Sequence, residues 1–351
     1  MSAVIAATNI LCAIGRGSEQ VWASARAGIA RIGSSQVLDR NFDPIQMGLV
    51  PEDALGELSP DIEALPLPPR ARRLLRLAMP TLQGLGVQAN QPVRMFLGLP
   101  HFAAGDAPWL NHFLRYIDML SAVPIDLERS AIVVQGRAAG LMALESALSA
   151  LAADPSTPVI VGGVDTYMDL RLLSSLDAEQ RVLGPRVMDG FIPGEGAAFF
   201  VLSAPGAHAS QPQVFVNAAV SVADPGHRYG TQPALGEGLS AAIERLRAGL
   251  ETPLPPVGVT FAGFNGESFD GKLWGVAQLR QGDFFSPSMA IEHPADKYGD
   301  AGAATGAILT ALAATALSDG SRAGPAFVWA ASDLEPRACA LLSLSSIVSS
   351  T

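Results

Sequence analysis

Val133–Leu148 reads VVQGRAAGLMALESAL: two β-branched residues, a glycine-bearing turn, then alanine, leucine and glycine with few polar interruptions. A short apolar run bounded by glycine reads as a buried strand, and a longer Ala/Leu stretch as a helix. The expectation is therefore a strand that turns into a helix from about Ala138 to Ala153, followed by the strands PVIVGGVDTY (158–167) and GAAFFVLS (196–203). The same order returns in AGAATGAILTALAATALS (301–318), AFVWAASDL (326–334) and RACALLSLS (337–345). Each series is introduced by a strand, AVIAATNI (3–10) and VFVNAAVSVA (214–223), and the second carries an amphipathic helix, ALGEGLSAAIERLRAGL (234–250). The chain thus reads as two similar α/β units, 1–205 and 206–351, meeting in the Pro-, Gly- and Ser-containing loop SAPGAHASQPQ (203–213). The two Gly/Ala-rich helices are apolar nearly all round, as a helix trapped between sheets must be.

The bulk numbers agree with a folded chain. In 351 residues, 49% are apolar, which fits a globular protein of one large or two fused cores. No charge-free apolar run approaches the ~20 residues that span a bilayer. The opening MSAVIAATNILCAIG lacks a basic leader and reads as a first strand, which points to a cytoplasmic location. Cys12 and Cys339 lie in apolar surroundings near opposite ends and read as buried thiols. A net charge of −10 argues against nucleic acid as a partner. Arg70, Arg72, Arg73 and Arg76 form the local exception. They read as a solvated helix face, with a docking patch for an acidic partner such as an acyl carrier protein as the alternative.

The segment around Arg137 resembles the nucleophile segment of β-ketoacyl synthases, roughly A-C-x-x-G/S-L-x-A-L, and DGFIPGEGAAFFVLS (189–203) is similar to their glycine-rich run almost letter for letter. The opening strand followed by AIGRGSEQVWASARAGIARI, with Trp22, is similar to their N-terminus. The resemblance covers most of the chain and implies the thiolase-like α/β fold. That fold has five layers, α-β-α-β-α, and is built from two pseudo-repeats. It also implies a homodimer, paired through the strand at about Ala131 to Gln135.

Condensation needs a thiolate at a helix N-terminus and two histidines that serve malonate and the developing oxyanion. On the resemblance, Arg137 takes the cysteine's place, Asn265 in VTFAGFNGESFDG stands at the first histidine, and Asp300 in KYGDAGAATGA follows the glycine where the second belongs. Lys297 matches the lysine of that last motif, and SDLEPRACALL replaces the supporting glycine-rich loop. These four departures imply a vestigial site with no catalytic residue. Gly194, Glu195 and Gly196 retain the family's tight turn, with Glu195 read as a structural hydrogen-bond or ion-pair residue. His293, His101 and His227 read as loop or packing histidines, and no clustered ligands suggest a metal or cofactor. A buried arginine at a helix N-terminus opposes the helix dipole and requires a carboxylate nearby. Asp300 and Glu267 are the candidates.

Three functions are compatible with this pattern. The first is an inactive pseudoenzyme that binds protein, similar to the thiolase-like co-chaperones associated with type VI secretion, with an effector or chaperone as partner. The second is a β-ketoacyl-ACP synthase-like acyltransferase or chain-length partner in fatty acid or polyketide synthesis. The third is a binding protein that uses the old acyl pocket without turnover.

Overall fold

In a computed structural model, residues 2–89, 91–102, 107–206 and 212–344 are described; residues 207–211 of the expected connector lie outside them. Among the described residues the main sheet has 11 strands, of which the short Gly15–Arg16 only flanks the first, and the other ten are β1 Ala3–Cys12, β2 Arg94–Leu99, β3 Ala131–Val134, β4 Val159–Thr166, β5 Glu195–Ser203, β6 Val214–Ala223, β7 Val257–Ala262, β8 Phe285–Glu292, β9 Ala326–Ala331 and β10 Pro336–Leu344. The principal helices are α1 Ser18–Arg26, α2 Pro69–Gln83, α3 Phe113–Leu120, α4 Ala139–Ala153, α5 Leu170–Ala178, α6 Glu237–Ala248, α7 Ser268–Arg280 and α8 Thr305–Ser318.

The strand order is β8-β7-β9-β10-β6-β1-β5-β4-β2-β3. Adding five to each strand number of the first half gives the second half, and the directions repeat as well. β2 is parallel to β3 and β4, and β7 is parallel to β8 and β9, whereas β4–β5 and β9–β10 are antiparallel. The halves join edge to edge through Ala3↔Val216 and Val4↔Phe215, so that they form one continuous sheet. The contact is short, and it leaves each half free to fold over the central helices.

Those helices are α4 and α8. α4 packs on β2 and β4 of its own half and on β6 of the other, and α8 packs on β8-side strands β7 and β9 as well as on β5. α2 and α3 cover the outer face of the first half, and α6 and α7 that of the second, which completes the five layers. α8 is buried along nearly its whole length, whereas Glu145, Ser146 and Ser149 keep one side of α4 partly open. The departure from a helix buried all round follows from that polar stripe, at helical spacing. Trp22 of α1 meets Phe261 of β7 with ring centroids 5.7 Å apart, so aromatic packing also crosses between halves.

Candidate active site, filled by ion pairs

α4 does not begin at Ala138. A 3₁₀ turn, Gly136–Ala138, precedes it, and Gly136 holds φ 63, a left-handed conformation that suits glycine. The turn places Arg137 at the N-terminal end of the helix, 5% exposed. Its guanidinium donates to Asp300 Oδ2 at 3.1 Å, to Asp270 Oδ2 at 2.7 Å and to the carbonyl of Ala331 at 3.0 Å. Burial works against its charge, but Asp270, Asp300 and Asp333 outweigh that and hold its pKa above the usual arginine value. The cation is fixed.

Asp300 is delivered by backbone pairing. The amide of Gly194 donates to the Asp300 carbonyl at 2.9 Å, and the amide of Asp300 to that of Ile192 at 2.8 Å. A side chain at Gly194 would meet the carbonyl of Tyr298 at 2.7 Å, so the glycine permits this approach. Gly196, beyond it, lies as closely against the Leu11 carbonyl. Asp300 Oδ1 also accepts from the amide of Gly302, in the turn that opens α8. Asn265 donates to Asp300 Oδ2 at 3.2 Å and to Glu267 Oε2 at 2.9 Å and so joins two clusters.

In the second cluster, Arg181 grips Glu267 with contacts of 2.9 and 2.8 Å and Asp333 with contacts of 2.9 and 3.0 Å. Arg228 approaches the same two carboxylates. Arg181, Arg137 and Arg228 hold Asp333 below the ordinary carboxyl range against the effect of burial. Asp270 behaves in the opposite way. Burial pushes its carboxyl from 3.8 to about 6, because Oδ2 alone meets Arg137 and the buried Oδ1 has no hydrogen-bond partner.

Glu267, expected as a partner of Arg137, instead belongs to Arg181; Asp270 takes that place. Asp270 was legible in principle. It falls on the buried stripe of α7 with Leu273, Trp274 and Ala277, at i+3, i+4 and i+7, where an unpaired charge is not tolerated. Arg181, Arg228 and Asp333 lie in loops and carry no comparable signal. Lys297 is placed outside the cluster and pairs with Asp296 at 2.7 Å on the outer side of the helical turn Ala295–Tyr298, whose Tyr298 faces inward. His293 is exposed and touches the ring of Phe264, His227 approaches Glu335 at 3.6 Å, and His101 is exposed. Arg337, in the segment that replaces the glycine-rich loop, is fully buried and donates to the carbonyls of Ser332, Leu334 and Pro336.

Glu195 is fully buried. It accepts from the amide of Val50 at 2.8 Å, from Thr166 Oγ1 at 2.7 Å and from Arg73 through two contacts of 2.6 Å. The arginines of α2 are consequently not a solvated face. Arg70 is buried and pairs with Asp165 at 3.0 Å, Arg72 donates to carbonyls of its own segment, and Arg76 pairs with Glu52. The reason is electrostatic, since the buried carboxylates Asp165 and Glu195 each need a cation. Both cysteines are buried, and burial pushes their thiol pKa upward, Cys12 to about 12.

No protein-family model matches the chain, and no curated protein matches it in sequence. Solved structures do match. The ketosynthase from module 6 of the bacillaene synthase of Bacillus subtilis aligns at TM-score 0.79 and 15% identity, over 99% of this chain and 72% of that one. The ishigamide ketosynthase/chain length factor aligns at TM-score 0.70 and 20% identity, over 99% and 100%. A type II polyketide synthase ketosynthase in complex with its acyl-carrier protein aligns at TM-score 0.73 and 14% identity, over 98% and 99%. With the repeated strand order and the paired central helices, these alignments establish that the chain has the thiolase-like fold of the ketosynthases.

Proposed function

We propose that this chain is a non-condensing subunit of the ketosynthase fold that works through protein partners, as a chain-length partner does beside an active condensing enzyme. The observation that carries this reading is Arg137. At the position that resembles the nucleophilic cysteine stands a buried guanidinium committed to two carboxylates. It cannot attack a thioester, and Asn265 and Asp300 are engaged with the same network. Vestigial roles for Arg137, Asn265 and Asp300, and structural ones for Glu195, Gly194 and Gly196, belong to this proposal. So do the division at 205/206, a cytoplasmic location and an acyl carrier protein among the partners. Among the described residues no helix is long and apolar enough to cross a membrane.

The whole-length likeness to a ketosynthase/chain length factor supports this alternative, whereas no observation supports a secretion-associated co-chaperone. Self-association through β3 is part of the reading. Among the described residues β3 lies at the end of the sheet, paired only with β2, and so presents an open edge to a second copy. Light scattering at micromolar concentration is expected to give a dimer.

The test is incubation with acyl- and malonyl-thioesters. Neither covalent acylation nor CO₂ release is expected, and Arg137→Cys restores no condensation, because the histidine positions are still changed. Thioester condensation that is lost on changing Arg137 or Asn265 would overturn the reading. Co-purification from the native cell is expected to recover a condensing enzyme or carrier protein, and recovery of a secreted effector instead would revive the co-chaperone function.

A further inference from the structure

A second site lies away from the ion network and shares no residue with it. A groove of about 900 Å³ runs between β1, α1 and the C-terminal end of α8. α1 enters it uncapped: Gly17, at φ 94, supplies no side chain, and the first intrahelical bond runs from the amide of Val21 to the Gly17 carbonyl. The amides of Ser18, Glu19 and Gln20 therefore have no acceptor within the helix, and the helix dipole adds partial positive charge at the same place. Gln20 folds back to accept from the amide of Arg16 and so serves the preceding turn instead.

The second observation is Ser18 itself. It lines the groove and is 5% exposed, and its Oγ is a buried hydroxyl with no hydrogen-bond partner. Such a group carries a desolvation cost unless a ligand meets it. Arg16 also lines the groove, and its guanidinium makes one long bond, to the Pro80 carbonyl at 3.3 Å. Two acids are present too. Asp319 is engaged with Arg26 at 3.8 Å, and Glu19 is exposed. The local charge is thus balanced, and the convergent donors decide the preference.

We propose that this groove binds a phosphate dianion, free or carried on a small molecule, between the α1 N-terminus, Ser18 and Arg16. Three amides, a hydroxyl and a guanidinium supply donors suited to a tetrahedral oxyanion. The groove is larger than a phosphate alone needs, with room for an ester's body beside Ile5, Ala7 and Ala314.

The test titrates the full chain with inorganic phosphate and, separately, with phenyl phosphate, while the amide resonances are followed by NMR. Saturable shifts centred on Ser18, Glu19 and Gln20 are expected. The dissociation constant should weaken about tenfold in Arg16→Ala and in Ser18→Ala, the scale of one lost charge-assisted bond. Lys272→Ala, an exposed cation elsewhere, should leave it unchanged. Shifts that spread to Ala314 and Thr315 with phenyl phosphate alone identify an ester as the ligand class, and saturation by inorganic phosphate alone identifies the free ion. Shifts that are absent, that spread evenly over basic surface, or whose dissociation constant in Arg16→Ala and Ser18→Ala stays at the wild-type value would overturn the proposal.

Discussion

The N-terminal ends of α4 and α8 are related by the internal repeat, yet they solve the same electrostatic problem in opposite ways. Each helix follows a 3₁₀ turn opened by a left-handed glycine, Gly136 at φ 63 and Gly302 at φ 52. The two helices touch where Gly140 and Gly306 remove the side chains that would collide. At α8, Asp300 accepts from the amide of Gly302, and Asp165 accepts from that of Ala303 at 2.8 Å, so negative charge meets the positive end of the dipole. At α4, the Ala303 equivalent is Arg137. The amide of Ala138 is served by the neutral Ser332 hydroxyl at 3.0 Å, and the cation must import its counter-charges from the other half. The α8 end draws one carboxylate, Asp300, from its own turn and one, Asp165, from the other half, whereas both counter-charges of Arg137 come from the other half.

Arg137→Ala should break this asymmetry most severely. Asp270 and Asp300 would be left buried without their cation, which costs about 3–5 kcal/mol, measurable by urea denaturation. Loss below ~1 kcal/mol would show that the network does not hold the halves together. Acidity sharpens the comparison next. The carboxyl of Asp270, raised from 3.8 to about 6, binds more protons in the folded chain than in the unfolded one between those values. Its contribution to stability therefore grows as pH falls from 7 through 6 and levels off below about 4. The expected difference is on the order of 2–3 kcal/mol. The wild-type stability–pH curve minus that of Asp270→Asn isolates it, and the opposite slope would contradict the assignment.

A smaller effect is expected at the crossing. A methyl at Gly140 would meet the backbone amide of Ala307 at 2.8 Å, so Gly140→Ala should cost ~1–3 kcal/mol by overpacking. The smallest concerns the cap. Ser332→Ala removes the hydroxyl that serves Ala138 and should lower stability by about 1 kcal/mol, with no change in the spectrum of folded aromatic groups.

Apolar periodicity and glycine placement made the repeated order, both central helices and the strand–turn–helix at Arg137 legible, because each is a property of contiguous residues. The need for a carboxylate beside Arg137 was legible as well, since a buried cation at a helix N-terminus is unfavourable wherever the rest of the chain goes. Which carboxylates answer it was legible only in part. Asp300, named from the motif, does pair with Arg137 from 163 positions away, but the second candidate, Glu267, turns to Arg181, and Asp270, 133 positions from Arg137, takes its place. The α2 arginines misled for the same reason, because their partners Asp165 and Glu195 arrive from distant strands. The sequence by itself determined the elements and the charges that had to be buried. Only the tertiary structure decided how those charges pair, because a Coulomb interaction depends on distance through space and on exclusion of water, which are set only when the two halves close.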